Sequence, residues 1–208
     1  MKVTKFFAFV MLAAGVMSSC GETKSQEEGG SASKGCAEAV IENIMTRTSI
    51  RQFTNQPVSK DTLDMIVKAG MAAPSAVNAQ PWAFVVVTDK EVLDSLNVKH
   101  SHANLKTATA AIIVCGNLEK AMEGPGQEYW VQDCSAASEN ILLAAHALGL
   151  GAVWCGVYPI EDRVKDISQV LGLPEKIIPL NIITMGYPAE NPEPKDKFKA
   201  DAIHYQKW

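Results

Sequence analysis

From Ile141 to Leu148 the chain is apolar nearly all the way round a helix, and Ala136, Ala137, Ala144 and Ala145 keep that helix slim. The helical pattern starts at Glu128, just after the break Gly124-Pro125-Gly126, and stops at Gly149, a residue suited to the left-handed C′ position. A surface helix needs one apolar stripe, whereas a helix apolar on all sides has to be surrounded. This segment is therefore either the centre of its own domain or packed against a partner subunit. Short apolar runs rich in β-branched and aromatic residues supply a sheet to surround it: Trp82 to Thr88, Ala110 to Cys115, Ala152 to Gly156 and Ile178 to Met185. Pro179 predicts that the last begins irregularly or lies at an edge.

Further helices are predicted over Ala37 to Thr46, with Val40, Ile41 and Ile44 on one face, and from an N-cap at Ser59 to Ala72. Asp89 caps a short helix to about Leu96, and Glu161 to Leu171 is amphipathic. Strands and helices alternate without a regular βαβ repeat, and neither GxGxxG after the first strand nor a P-loop occurs. The fold class is α+β, a central sheet flanked by helices.

The N-terminus reads as a processing segment. Lys2 and Lys5 precede the apolar run Phe6 to Val16, which is short for a membrane span, and Met17-Ser18-Ser19-Cys20 follows. Residues 1–19 are expected to be a lipoprotein-type signal peptide, with Cys20 the lipidated first residue; an ordinary signal peptide or an uncleaved anchor is the alternative. Residues 20–36, poor in large apolar groups, are expected to form a flexible tether, leaving one folded domain over residues 37–208. The protein is then exported and lipid-anchored to a bacterial membrane. Losing Lys2 and Lys5 leaves 17 of the 19 basic groups against 23 acidic ones, a net of −6. Nucleic acid is not an expected partner, because phosphate backbones need a basic face. Cys36, Cys115, Cys134 and Cys155 show no CxxC spacing and read as mainly buried free thiols, although an exported chain could pair them. His100-x-His102, in a polar stretch, reads as a solvated loop and no metal site is expected.

Within this acidic chain, Arg47-Thr48-Ser49-Ile50-Arg51 places two guanidiniums and two hydroxyls on a helix-to-loop segment. Arginine is planar and permanently charged, and matches phosphate oxygens. Pro74-Ser75-Ala76-Val77-Asn78-Ala79-Gln80-Pro81-Trp82 is a polar, proline-bracketed loop between an apolar helix and the first strand, and its amides can read the edge of a planar ring. Taken singly, Arg47 and Arg51 are solvated helix-end charges, Ser75 to Gln80 a surface loop and Trp82 core. Together they suggest a ligand with a phosphate at one end and a heteroaromatic ring at the other. No serine, cysteine or histidine has the neighbours of an activated nucleophile, in keeping with chemistry carried by a cofactor.

Arg47-x-Ser49-x-Arg51, Pro74-Ser75-x-x-Asn78-x-Gln80-Pro81-Trp82, Gly149-Leu150-Gly151-x-x-Trp154-x-Gly156, and Gly186-Tyr187-Pro188 followed by Lys195-x-Lys197 occur in that order. In this the chain resembles the nitroreductase family over about residues 38 to 208. The resemblance implies a homodimer with a central mixed sheet and FMN at the subunit interface. It implies that Arg47, Thr48, Ser49 and Arg51 contact the phosphate and ribityl end, with Lys195 and Lys197 closing on the phosphate. Pro74, Ser75, Asn78 and Gln80 would meet the flavin, in part from the neighbouring subunit. Trp154, Cys155, Gly156 and Val157 would lie along the ring, with a backbone N–H near N5. Tyr129 and Trp130 are suspected at the substrate entrance. The implied activity passes two electrons from NAD(P)H or another donor, through FMN, to a small organic acceptor such as a nitroaromatic or quinone. A related FMN dehydrogenase or dehalogenase, or a membrane-tethered flavin-binding protein, is the alternative.

Overall fold

The computed structural model describes residues 28–208, with side chains from Gly35 onward; the expected signal peptide, residues 1–19, and Cys20 lie outside the described residues. The chain divides into two units, Met1–Glu38 and Ala39–Trp208. The second holds nearly all of the described structure. Helix α1 spans Glu28–Thr46, so it starts in the stretch read as a tether rather than at Ala37. Then follow α2 (Lys60–Met71), β1 (Trp82–Val87), α3 (Lys90–Lys99), β2 (Ala110–Asn117), α4 (Tyr129–Ala147), β3 (Gly151–Gly156), α5 (Glu161–Leu171) and β4 (Ile177–Gly186). No helix among the described residues is long and apolar enough to cross a membrane.

The sheet has the order β1-β2-β4-β3, and every neighbouring pair is antiparallel. The expected mixed sheet is corrected here. β2 and β3 point the same way, but β4 inserts between them, and the parallel pairing among the described residues is an isolated bridge from Ser49 to Ala152. Pro179 lies in a central strand, not at an edge. The register slips between Val114 and Cys115 opposite it, so Leu180 is the extra residue of a bulge. The Leu180 carbonyl accepts from the N–H groups of Val157 and Tyr158.

Side chains alternate across the sheet, as period two requires. Ala110, Ile112, Val114, Ile183 and Met185 face α2 and α4; Ala111, Ile113, Cys115, Val153 and Ile182 face α3 and α5. The long helix is central to its own domain: Trp130, Cys134, Ala137, Ile141, Leu142 and Ala145 of α4 are buried. Full burial of each large aliphatic group contributes about 1.5–3 kcal/mol, enough for this layer to hold the sheet. Gly149 takes φ 75° and ends α4 as its position predicts. Ser59 caps α2 by accepting from Thr62 N–H, and Asp89 caps α3 by accepting from Glu91 and Val92.

Helix α1 behaves differently. Asn43 Nδ2 donates to the Leu143 carbonyl at 3.1 Å and fastens α1 to α4, yet Val40, Ile41, Ile44 and Met45 remain exposed. Asn140 Nδ2 donates to the Ala69 carbonyl at 3.1 Å and ties α4 to α2. Between these helices runs an apolar groove of about 540 Å³, lined by Ala39, Val40, Ile44, Ala72, Leu143 and Ala147 among others.

Candidate functional site

The chain leaves α1 at Thr46 and runs extended through Arg47 to Thr54. Ile50 N–H donates to the Ala152 carbonyl at 3.1 Å, so this segment lies along the outer edge of β3. Its far end pairs with the stretch after β4: Thr54 N–H donates to the Tyr187 carbonyl at 2.8 Å and Ala189 N–H to the Gln52 carbonyl at 2.9 Å. Glu190 then accepts from the backbone N–H groups of Arg51 and Gln52. That pairing carries the C-terminal stretch back over α1. A cleft of about 600 Å³ results, and its walls include Arg47, Thr48, Ser49, Arg51, Lys195 and Lys197. Six residues proposed from two distant sequence motifs thus share one cavity.

Four cations crowd this cleft in a chain whose net charge is negative. Glu139 and Glu193 also line it, and Arg47 Nε lies 3.9 Å from Glu139 Oε1. The Arg47 side chain is mostly buried while Glu139 is half exposed, so solvent screens the pair and the guanidinium stays available for an anion. His146 stands beside Arg47, its Nε2 3.0 Å from Thr46 Oγ1. Burial, with the Arg47 charge adding to it, holds its pKa below the usual histidine value, so near neutrality it adds no positive charge.

The loop after α2 has a strained backbone. Val77, Asn78 and Gln80 all have positive φ, at 47°, 57° and 51°. Ser75 Oγ accepts from Gln80 N–H at 3.0 Å, Gln80 Nε2 donates to Asn78 Oδ1 at 3.1 Å, and Ala76 N–H donates to Asp133 Oδ1 at 2.8 Å. Strain of this kind persists where surrounding bonds over-determine it, and it clusters at ligand sites. Pro74 and Ser75 line a second cavity of about 370 Å³ together with Tyr129, Gln132 and Asp133. Tyr129 is exposed there, whereas Trp130 is buried against Tyr158 in an edge-to-face contact and belongs to the core. Trp82 is core as well.

The third group divides further. Trp154 packs half-buried on the α4 face of the sheet. Cys155 points to the opposite face, its Sγ 3.4 Å from the Ala103 carbonyl, and Val157 is fully buried with its N–H donated to Leu180. Gly156 is the one with room, since a Cβ there would meet nothing within 4 Å. A flat ring can approach that backbone directly. Among the described residues, the first group lines the larger of the two cavities and Pro74 and Ser75 of the second line the other.

Several residues here escape sequence reading. Glu190 and Glu139 carry no local signal. Asp133 carries one in retrospect, a carboxylate on the buried face of α4 beside Cys134 and Ala137. His100 corrects the expectation of a solvated loop: it is 4 % exposed, and its Nε2 lies 3.0 Å from the Gly156 carbonyl. Among the described residues no group of His, Cys, Asp and Glu could hold a metal. Cys115, Cys134 and Cys155 are buried free thiols and Cys36 is exposed. Burial pushes Cys115 and Cys134 up to about 12 and raises Cys155 too, so none is a nucleophile near neutral pH.

Comparison with known proteins bears on the same residues. Residues 44–111 and 96–187 match the profile described as the Nitroreductase family. A Methanothermobacter thermautotrophicus protein, provisionally named an NADH dehydrogenase/NAD(P)H nitroreductase, is 51 % identical over 172 residues, 81 % of this chain and 87 % of its own length. A solved structure from Bacteroides thetaiotaomicron under the same provisional name is 44 % identical with a TM-score of 0.76, covering 82 % of this chain and 98 % of that one. The structure of an FMN-dependent nitroreductase from Clostridium difficile is 31 % identical with a TM-score of 0.74, covering 81 % and 99 %.

Proposed function

Because this chain belongs to the nitroreductase family, we infer that it is an FMN-dependent oxidoreductase acting on small organic acceptors such as nitroaromatics or quinones. The observation that carries the reading is the cleft that joins Arg47, Ser49 and Arg51 to Lys195 and Lys197. A phosphate dianion needs several cations and hydroxyl donors at once, and these residues supply them. Bound FMN supplies the two-electron redox chemistry between NAD(P)H, or another donor, and the acceptor. The protein residues bind and orient. Arg47, Arg51, Lys195 and Lys197 would hold the phosphate, with Thr48 and Ser49 toward the ribityl chain. Gly156 would let the ring lie against the backbone beside Trp154. Ser75, Asn78 and Gln80 of a second copy would read the ring edge, in keeping with the separate cavities that Ser75 and the cation cluster line. The homodimer follows from that division and from the apolar face of α1. Tyr129, exposed beside Ser75, would border the acceptor.

The test is the absorption spectrum of the purified mature domain loaded with FMN, before and after anaerobic NADH. A flavin spectrum that bleaches, and recovers on adding a quinone, supports the reading. No flavin binding would overturn it.

We also propose that the protein is exported and anchored by lipid at Cys20, on the strength of Lys2, Lys5, the apolar run and the small residues before that cysteine. Nicotinamide cofactors are not normally supplied outside the cytoplasm, so the donor in that setting would be a quinol or a small redox protein. Cys20→Ala should release the protein from the membrane fraction or block processing; normal cleavage with unchanged membrane association would contradict the anchor.

A further inference from the structure

We propose that His100 and Arg163, which line neither cavity described above, are positioning residues that fix the Gly156 peptide for its contact with the flavin. The proposal rests on the reading of Gly156 as the point where the ring meets the backbone.

Gly156 ends β3 and has no side chain to hold it. Open space lies where its Cβ would be. A glycine so placed would be the loosest point of the turn. It is instead bonded on both sides of its peptide. Its carbonyl receives two donors from two different helices: His100 Nε2 at 3.0 Å from the C-terminal cap of α3, and Arg163 Nη1 at 3.2 Å from the first turn of α5. The N–H of the same peptide, on Val157, donates to the Leu180 carbonyl at 3.0 Å, on the bulge of β4. A carbonyl can only accept, so the hydrogen sits on His100 Nε2.

Each donor sits where a separate cost opposes it. Arg163 is a cation in the first turn of a helix, where the macrodipole favours acids such as its neighbours Glu161 and Asp162. His100 has its imidazole buried, at a desolvation cost. The shared carbonyl compensates both. Lys99 and Asp166, 3.2 Å apart, bridge α3 to α5 beside the clamp; being exposed, that pair contributes little by itself. Neither His100 nor Arg163 acts except through Gly156. Two donors on one carbonyl also polarise its peptide and strengthen the Val157 bond behind it.

The test uses His100→Phe and Arg163→Met, which each remove one donor, beside His100→Gln and Arg163→Lys, which each keep one. Two readouts are taken on the mature domain. The first is amide hydrogen exchange at Val157 without flavin. The second is the ratio of affinities for reduced and oxidised FMN, read as the midpoint potential. A lost hydrogen bond should speed exchange by about tenfold. The affinity ratio should fall about tenfold, a potential lower by about 30 mV for a two-electron couple. Affinity for oxidised FMN should change by less than about twofold, since the phosphate cleft is separate. The Gln and Lys variants should recover most of both losses. Faster exchange with an unchanged potential, or equal damage from conservative and disruptive variants, would overturn the proposal while leaving the FMN reading intact. A wild-type protein that binds no FMN would overturn the FMN reading and this role with it. Should His100→Phe fail to fold, Arg163→Met, at a half-buried position, decides the question.

Discussion

Val77 holds a conformation that a β-branched residue rarely adopts, φ 47° and ψ 22°, and its side chain is 77 % exposed. Little packing opposes a change there, and the left-handed region costs an L-residue about 1–2 kcal/mol, less for Asn. Val77→Asn should therefore raise stability to urea by about 0.5–1 kcal/mol. A loss instead would mean the side chain makes contacts worth more than the strain. His100 and His146 bear on pH. The unfolded chain takes up protons on them near the ordinary value of about 6.5. Burial is the largest cause holding both lower in the folded protein, with Arg163 adding at His100 and Arg47 at His146. At His100 the bond to Gly156 works the other way and offsets part of the burial. Below about pH 6.5 the unfolded state binds more protons, so stability should decline as pH falls from there through the folded values. Urea melts between pH 8 and 5 check this. His100→Gln should flatten the decline, and an unchanged slope would assign it elsewhere.

At the scale of elements, Gly116 shows how closely α4 lies on the sheet. A Cβ on this β2 residue would lie 2.2 Å from the nearest atom of the Trp130 ring of α4. Gly116→Ala must push the helix or the ring away, and overpacking of this kind costs about 1–3 kcal/mol. Thermal unfolding should show a clear drop in Tm; no change would mean the ring moves freely. Much of this layer was legible beforehand. Continuous apolar runs rich in β-branched and aromatic residues marked the four strands, and Ser59, Asp89 and Gly149 announced helix ends, because capping is local chemistry. The start of α1 at Glu28 was not legible, since Gly, Ser and Lys there carry no apolar period. Of the two readings Pro179 allowed, the irregular start is the one found and the edge is not: the bulge at Leu180 absorbs the irregularity in a central strand. The candidate site divides the same way. Arg47, Ser49, Arg51, Lys195 and Lys197 were legible as a motif set and share one cleft. His100, Asp133 and Glu190 were not, because their partners lie 56, 57 and 139 residues away in the chain.

The whole molecule offers an unfinished surface. The groove between α1, α2 and α4 and the exposed Val40, Ile41, Ile44 and Met45 form an apolar face, and Phe198, Tyr205 and Trp208 of the C-terminal stretch are exposed too. Ile44 lines both this groove and the cation-rich cleft, so the apolar face is continuous with that cleft. A second copy covering that face would bring its own Ser75 loop to complete the site. Sedimentation at micromolar concentration should give a dimer. Val40→Glu, which touches the groove but not the cleft, should give a monomer that loses FMN; a monomer that keeps FMN would separate the two. The account stands most directly on the cleft itself. Titration of FMN and riboflavin into wild type and Arg51→Ala measures it. Loss of one charge-assisted phosphate contact is worth about 1.5–3 kcal/mol, so FMN affinity should fall at least tenfold while riboflavin affinity stays nearly constant. An equal loss for both ligands, or no loss for either, would contradict the assignment of Arg47, Arg51, Lys195 and Lys197 to a phosphate.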